Sequence, residues 1–145
     1  HLTKDFLIGK DSPEKYLRKI EREKENFSGF NLLVGDFSNG KSKFFYFSNR
    51  AVKTEKLIGG IYGLSNALLN TSWHKVETGK AKFGEILRAS GDEIPPEPFF
   101  EMLADKNYAP DDKLPNTGIG IERERLLSPS FIETDGYGTR VSTVL

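Results

Sequence analysis

Two apolar runs on either side of Asn39-Gly40 constrain the fold of this chain more than any other feature. Residues 30–37 (FNLLVGDF) have the pattern of a buried strand, and residues 43–47 (KFFYF) have the pattern of its partner. Asn-Gly tolerates the positive φ angles of a type I′ turn, which joins neighbouring antiparallel strands. The sequence therefore predicts a β-hairpin whose connection is residues 38–41.

Helix signals lie on both sides of this hairpin. Ser12-Pro13 places an N-cap serine before a proline at the first helical position, which predicts that a helix begins there. The apolar stripe of this helix consists of Tyr16, Leu17 and Ile20. Apolar residues recur with helical spacing over residues 73–89, which predicts the main amphipathic helix. Shorter helices are expected at residues 3–7 and 98–105.

Weaker patterns predict further strands or extended segments. They cover residues 51–57, 60–66, 131–133 and 139–145, and a turn at residues 135–138 joins the last two. Neighbouring strands are mostly antiparallel, and this layout predicts an α+β fold with a mostly antiparallel sheet. Because 145 residues is a normal domain length, we expect residues 1–145 to form a single domain.

The composition excludes several kinds of function. Lys and Arg number 21 and Asp and Glu number 21, so no electrostatic reason favours a nucleic-acid or anionic-membrane partner. The absence of cysteine excludes disulfides and a cysteine nucleophile within these residues, and it favours an intracellular, reducing compartment. No apolar run approaches the roughly 20 residues that cross a bilayer, so a transmembrane protein is not expected.

Both ends of the sequence are unusual for natural termini. The chain starts with HLTKDFLIGK, without an initiator Met, and it stops on the apolar stretch VSTVL. A natural terminus is usually polar and frayed. We therefore expect this sequence to be the interior of a longer protein.

Few residues of this chain could carry chemistry, and the most probable functional centre is residues 61–76. His1 and His74 are the only histidines, and they are too far apart in the sequence for a metal motif. Asn66 follows a predicted strand and could donate to an oxyanion, while Arg140 could hold a carboxylate or orient a site. The ordinary alternatives stay open: Asn66 caps a turn, His74 caps a helix and Arg140 is an edge-strand charge.

Four blocks of the sequence resemble the NRDE family, that is, Transport and Golgi organisation 2-like proteins. They are GFNLLVGD (29–36), YFSNR (46–50), YGLSNALLNTSWHKVETGK (62–80) and YGTRVSTVL (137–145). The resemblance implies a four-layer αββα fold, like that of N-terminal-nucleophile hydrolases. It also implies that residues 1–145 are the interior of an NRDE domain, with a Met-Cys and an Asn-Arg-Asp-Glu motif upstream and further strands downstream, none of which these residues contain. Where the family commonly has Pro-Trp, this chain has Ser72-Trp73.

The resemblance leaves two functional hypotheses. In the first, the chain has a cellular role in Golgi organisation, protein secretion or haem and lipid handling, and it binds a small apolar ligand. It would then work in the cytoplasm, at the Golgi or in mitochondria, and it would require no cofactor. If the ligand is haem, His74 is the only internal histidine that could be its axial ligand. In the second, it is an amide or acyl hydrolase whose cysteine lies upstream, with Asn66 and Arg140 in supporting roles.

Overall fold

The computed structural model describes residues 1–40, 42–51, 53–91 and 93–145. It divides into two compact units, His1–Gly60 and Ile61–Leu145. Helices and antiparallel sheets make up both units, so the predicted α+β class with antiparallel pairing is confirmed. The four-layer αββα arrangement and the single domain over residues 1–145 remain predictions.

The first unit is built on a three-stranded antiparallel sheet. Its strands are β1 (Asn31–Asp36), β2 (Lys43–Ser48) and β3 (Glu55–Leu57), in the order β1-β2-β3. Two helices precede the sheet, α1 (Leu2–Ile8) and α2 (Pro13–Arg22). The third strand is shorter than the segment predicted at residues 51–57, in which Val52 lies outside the described residues.

Helix α2 forms as its sequence predicts, because Ser12 caps it. The backbone N–H of Lys15 donates to Ser12 Oγ at 3.3 Å, and Pro13 occupies the first helical position. The predicted apolar stripe faces the sheet and is buried, with Leu17 fully inaccessible. The core of this unit consists of Tyr16, Leu17, Ile20, Leu32, Val34, Phe45 and Phe47.

The predicted hairpin is confirmed, but its turn is not the tight one that Asn-Gly suggested. Asp36 pairs with Lys43, so residues 37–42 separate the strands instead of a two-residue type I′ turn. Ser38–Gly40 form a short 3₁₀ turn in which Gly40 has φ 67°, and Lys41 lies outside the described residues. The side chain of Asp36 accepts the N–H of Ser38 at 2.7 Å, and this bond favours the wider turn.

The YFSNR block has a structural role in this unit. The amide oxygen of Asn49 accepts the N–H of Phe30 at 3.0 Å, and its Nδ2 lies 3.1 Å from the carbonyl of Phe27. Ser48 Oγ donates to the carbonyl of Phe30 at 2.8 Å. These bonds fix the connection from α2 to β1 against the end of β2.

The second unit is mostly helical. It contains α3 (His74–Ala89), α4 (Glu97–Leu103), a 3₁₀ turn at Asp111–Lys113, and α5 (Ile121–Leu126). The helices predicted at residues 73–89 and 98–105 are confirmed with small shifts of their ends, whereas α5 was not predicted. A two-residue ladder pairs β4 (Glu133–Thr134) with β5 (Tyr137–Gly138).

Two strand predictions in this unit are wrong. Residues 60–66 form no strand: residues 61–64 are irregular and residues 65 and 66 form a bend, because the chain there enters a loop instead of joining a sheet. Residues 139–145 pair with no strand in the described part of the chain. The predicted hairpin at residues 131–145 is therefore reduced to the short β4–β5 ladder. No helix among the described residues combines the length and apolarity needed to span a bilayer.

Candidate ligand cavity

The loop that carries Asn66 is closed by Asn70. The N–H of Asn70 donates to the carbonyl of Gly63 at 2.8 Å, and the N–H of Gly63 donates to Asn70 Oδ1 at 3.0 Å. Asn70 has φ 57°, a left-handed conformation that asparagine adopts more readily than most residues. This pair of bonds fixes residues 63–70 beside the start of α3.

Helix α3 begins after Trp73, whose backbone carbonyl accepts the N–H groups of Val76 at 2.9 Å and Glu77 at 3.0 Å. His74 is the first helical residue and Lys75 the second, and both side chains are half-buried. Val76 is buried on the inner face of the helix. The side chains of Trp73, His74 and Lys75 at the start of α3 all line one cavity.

Lys75 holds the chain that leaves α5. Its Nζ donates to the carbonyl of Leu127 at 2.6 Å and to that of Pro129 at 3.2 Å. Burial lowers the pKa of the Lys75 ammonium, since removing the cation from water disfavours the charged form. Among the described residues, no carboxylate forms an ion pair with this ammonium.

Glu124 is a buried acid on α5, with 6% of its surface exposed. Its Oε1 accepts two hydrogen bonds from Thr117, one from the backbone N–H at 2.7 Å and one from Oγ1 at 2.6 Å. Oε2 receives no hydrogen bond from the described residues. The glutamate therefore fixes the loop before α5 with one oxygen and keeps the other one available.

Ser128 completes the frame of the site. Its Oγ donates to the carbonyl of Arg125 at 2.8 Å and accepts the N–H of Ala109 at 2.9 Å. Both Ser128 and Ala109 are buried. This hydroxyl therefore ties the loop after α4 to the end of α5.

These elements enclose a cavity of about 170 Å³ that is open on one side and mostly apolar. Its lining residues are Asn66, Trp73, His74, Lys75, Ala109, Lys113, Pro115, Thr117, Ile119, Glu124, Leu127 and Ser128. A mostly apolar cavity with a few convergent polar groups is the usual form of a small-molecule site. The polar groups of this cavity include Lys75 and Glu124, which form no ion pair with each other.

The structure brings together two of the three predicted site residues. Asn66 and His74 both line the cavity, although Asn66 is exposed rather than buried. Arg140 does not line it; this arginine is exposed and lies in a separate, open groove beside β4 and β5. The catalytic roles of Asn66 and Arg140 and the haem-binding role of His74 remain predictions. No cluster of metal-binding side chains occurs in the described ranges.

Sequence reasoning missed Lys75 and Glu124. A weak signal existed for Lys75, since a cation in the first turn opposes the helix dipole and so requires another reason to be there. Glu124 sits in the run IERERLL, which has the pattern of an exposed charged helix. Nothing in that run marks one glutamate as buried, because burial depends on what packs against it.

The described residues thus form an α+β protein with a mostly apolar cavity in its second unit. The family model for Transport and Golgi organisation 2 matches residues 1–145, and this chain belongs to that family. The family resemblance predicted from the sequence is therefore confirmed.

Mammalian relatives agree with this assignment. The chain is 31% identical over 153 residues to the Transport and Golgi organization protein 2 homologs of Bos taurus and of Homo sapiens. It is 30% identical over 154 residues to the Transport and Golgi organization 2 homolog of Mus musculus. Each match covers 99% of this chain and 55% of the relative, so the chain spans about half the length of these curated relatives.

Proposed function

We propose that this chain acts in transport and Golgi organisation, as the names of its relatives state for them, and that it does so by binding a small molecule. The observation that carries the proposal is the cavity at the start of α3. It combines an apolar wall, to which Trp73 and Leu127 belong, with the ammonium of Lys75 and the carboxylate of Glu124. The proposed setting is inside the cell, in the cytoplasm, at the Golgi or in mitochondria.

Binding rather than covalent chemistry is the function that these residues support best. The hydrolase hypothesis places its cysteine nucleophile upstream of residue 1, so within these residues it assigns only supporting roles, to Asn66 and Arg140. A fold that resembles an enzyme does not establish catalysis. The hydrolase hypothesis remains a prediction.

Cavity size bears on the haem hypothesis. An engineered protein cavity of roughly 150 Å³ binds benzene, and the cavity here measures about 170 Å³. Because a porphyrin is far larger than benzene, it would have to rest at the open side with His74 as its axial ligand. A His74→Ala variant with unchanged haem affinity would remove this proposal.

The proposed function is tested by filling the cavity. Ile119 lines it and is 38% exposed, so an Ile119→Trp side chain can occupy the cavity with little disturbance of the core. The matched control is Ile121→Trp, because Ile121 is 54% exposed and does not line the cavity. Each variant is expressed in cells that lack the endogenous protein, and Golgi morphology and the secretion rate of a soluble reporter are measured.

We expect Ile121→Trp to restore both properties and Ile119→Trp to restore neither at equal protein level. If both variants restore Golgi morphology and secretion, the cavity has no part in the cellular role. If the wild-type protein itself restores nothing, the role in transport and Golgi organisation is wrong for this chain.

A further inference from the structure

We propose that the cavity binds a small zwitterion with a compact apolar body, such as an apolar α-amino acid. The ligand's carboxylate would contact Lys75 and its ammonium would contact Glu124. This inference rests on the proposed function, because it names the class of ligand that the same cavity takes.

The ammonium of Lys75 has no counter-ion among the residues that the structure describes. It carries three N–H bonds, and two of them are directed to the carbonyls of Leu127 and Pro129. These neutral acceptors fix the position of the nitrogen without cancelling its charge. A cation that is partly removed from water is stabilised by an anion held at hydrogen-bond distance. A ligand carboxylate provides that anion.

The carboxylate of Glu124 likewise forms no ion pair within the described ranges. With 6% of its surface exposed, Glu124 is more than nine-tenths buried. Thr117 satisfies Oε1 twice, whereas Oε2 receives no hydrogen bond from the described part of the chain. A carboxylate oxygen in such a place favours a charged donor, and a primary ammonium offers three N–H groups.

The two charges are held apart by the fold. No ion pair joins Lys75 to Glu124, although both line one cavity. Lys75 is held by the carbonyls of Leu127 and Pro129, and Glu124 is held by Thr117, so each charge has its own fixed position at the cavity. Lys113 also lines the cavity but is exposed, whereas Lys75 and Glu124 are held in place. Two fixed and opposite charges favour a ligand that carries both complementary charges.

The cavity limits the body of the ligand. About 170 Å³ of space admits a group close to a phenyl ring in size, by comparison with the roughly 150 Å³ cavity that holds benzene. Trp73 and Leu127 supply apolar surface for that group. Phenylalanine therefore has both the charges and the size that the cavity requires.

Three probes with the same phenyl body separate the charges. They are L-phenylalanine with both charges, 3-phenylpropanoate with the carboxylate alone, and phenethylamine with the ammonium alone. Binding to the full 145-residue chain is measured by titration calorimetry and by the shifts of amide NMR signals. We expect L-phenylalanine to bind at least about tenfold more tightly than either analogue, since each lost charged hydrogen bond costs about that factor.

Two substitutions assign each charge to a residue. Glu124→Gln keeps an amide oxygen for Thr117 and should weaken L-phenylalanine about tenfold while leaving 3-phenylpropanoate unchanged. Lys75→Met should weaken L-phenylalanine by a similar factor and leave phenethylamine unchanged. Glu85→Gln, at an exposed position of α3, is the control and should change nothing.

The outcomes distinguish this inference from the proposed function. Equal affinity for all three probes, or no effect of either substitution, overturns the zwitterion but leaves a small-ligand cavity in place. No binding of any probe, together with a normal cellular result for Ile119→Trp, overturns both proposals. No binding of any probe, with the cellular defect of Ile119→Trp still present, overturns the zwitterion alone.

Discussion

Asn70 and Gly63 exchange two hydrogen bonds that close the loop bearing Asn66. The Asn70 N–H donates to the Gly63 carbonyl at 2.8 Å, and Asn70 Oδ1 accepts the Gly63 N–H at 3.0 Å. The same asparagine supplies the positive φ of 57° that the chain needs at this point. One residue thus provides both the conformation and the hydrogen-bond acceptor that hold Asn66 at the cavity wall.

Substitution of Asn70 should separate these two contributions. Asn70→Ala removes the acceptor and places a Cβ in a left-handed conformation, so we expect a loss of about 2 kcal/mol in the free energy of unfolding. Asn70→Gly keeps the conformation and should lose about 1 kcal/mol. Asn70→Asp keeps an acceptor and should lose least. Urea unfolding measures the order, and an alanine variant as stable as the aspartate variant would contradict it.

Gly63 allows this loop to approach α3 closely. A Cβ at Gly63 would lie 2.7 Å from Val76 Cγ1 and 3.1 Å from a side-chain carbon of Lys80. The lysine chain can move aside, but Val76 is buried and cannot. We expect Gly63→Ala to lower the midpoint of thermal unfolding and to cost about 1–3 kcal/mol.

Gly79 offers a control of opposite sign. It lies within α3, and an added Cβ there meets nothing within 4 Å. Because glycine is unfavourable in a helix interior, Gly79→Ala should stabilise the protein by about 0.5–1 kcal/mol. If both alanine variants shift stability in the same direction, close packing at Gly63 is not the cause of its effect.

The burial of Lys75 predicts a dependence of stability on pH. Its folded pKa lies below the ordinary value of 10.5, so the unfolded chain binds this proton more tightly. Below the folded pKa, burial of the charged Lys75 lowers the free energy of unfolding by a constant amount. As the pH rises from the folded pKa towards 10.5, the buried ammonium loses its proton and this destabilisation disappears. In that window Lys75 makes the free energy of unfolding increase with pH.

Comparison with Lys75→Met isolates this effect from other titrations. The variant should lack the increase in the free energy of unfolding that deprotonation of Lys75 causes. Its stability relative to the wild type should therefore fall as the pH rises from the folded pKa of Lys75 towards 10.5. Lys19→Met, at an exposed position of α2, is the control. Urea unfolding across this range measures the difference. Parallel curves for the wild type and Lys75→Met would show that burial does not perturb this lysine.

Asn49 should be among the most sensitive polar positions of the first unit. Its Nδ2 lies within 3.3 Å of the carbonyls of Lys24, Phe27 and Ser28, and its Oδ1 accepts the N–H of Phe30. Asn49→Ala leaves these half-buried groups without their partner and should cost about 2–4 kcal/mol. Asn26→Ala, at an exposed position, should cost little. A loss below about 0.5 kcal/mol for Asn49→Ala would show that water replaces the amide.

The sequence predicted best where a local signal coincided with a strong apolar pattern. Ser12-Pro13 marked the start of α2, and its apolar stripe became part of the core. The paired runs in residues 30–47 formed β1 and β2 in register. In both cases the signal lies in residues that are close together in the sequence, so the sequence alone displays it.

Prediction failed where one pattern suited two structures. Residues 60–66 contain apolar and small residues in short alternation, which is typical of a strand, yet the Asn70 bonds fold them into a loop. Residues 139–145 are rich in β-branched residues, but a strand also requires a partner at hydrogen-bond distance. Short apolar runs do not specify that partner.

The sequence by itself determined the elements α2, α3 and the β1–β2 hairpin, together with membership of the family. These follow from helix caps, from the spacing of apolar residues and from family motifs, all of which are local patterns in the sequence. Only the tertiary structure decided that Lys75 and Glu124 share one cavity with Asn66 and His74. The burial of Glu124 and the partial burial of Lys75 result from packing between segments that are distant in sequence. No local pattern can therefore reveal them.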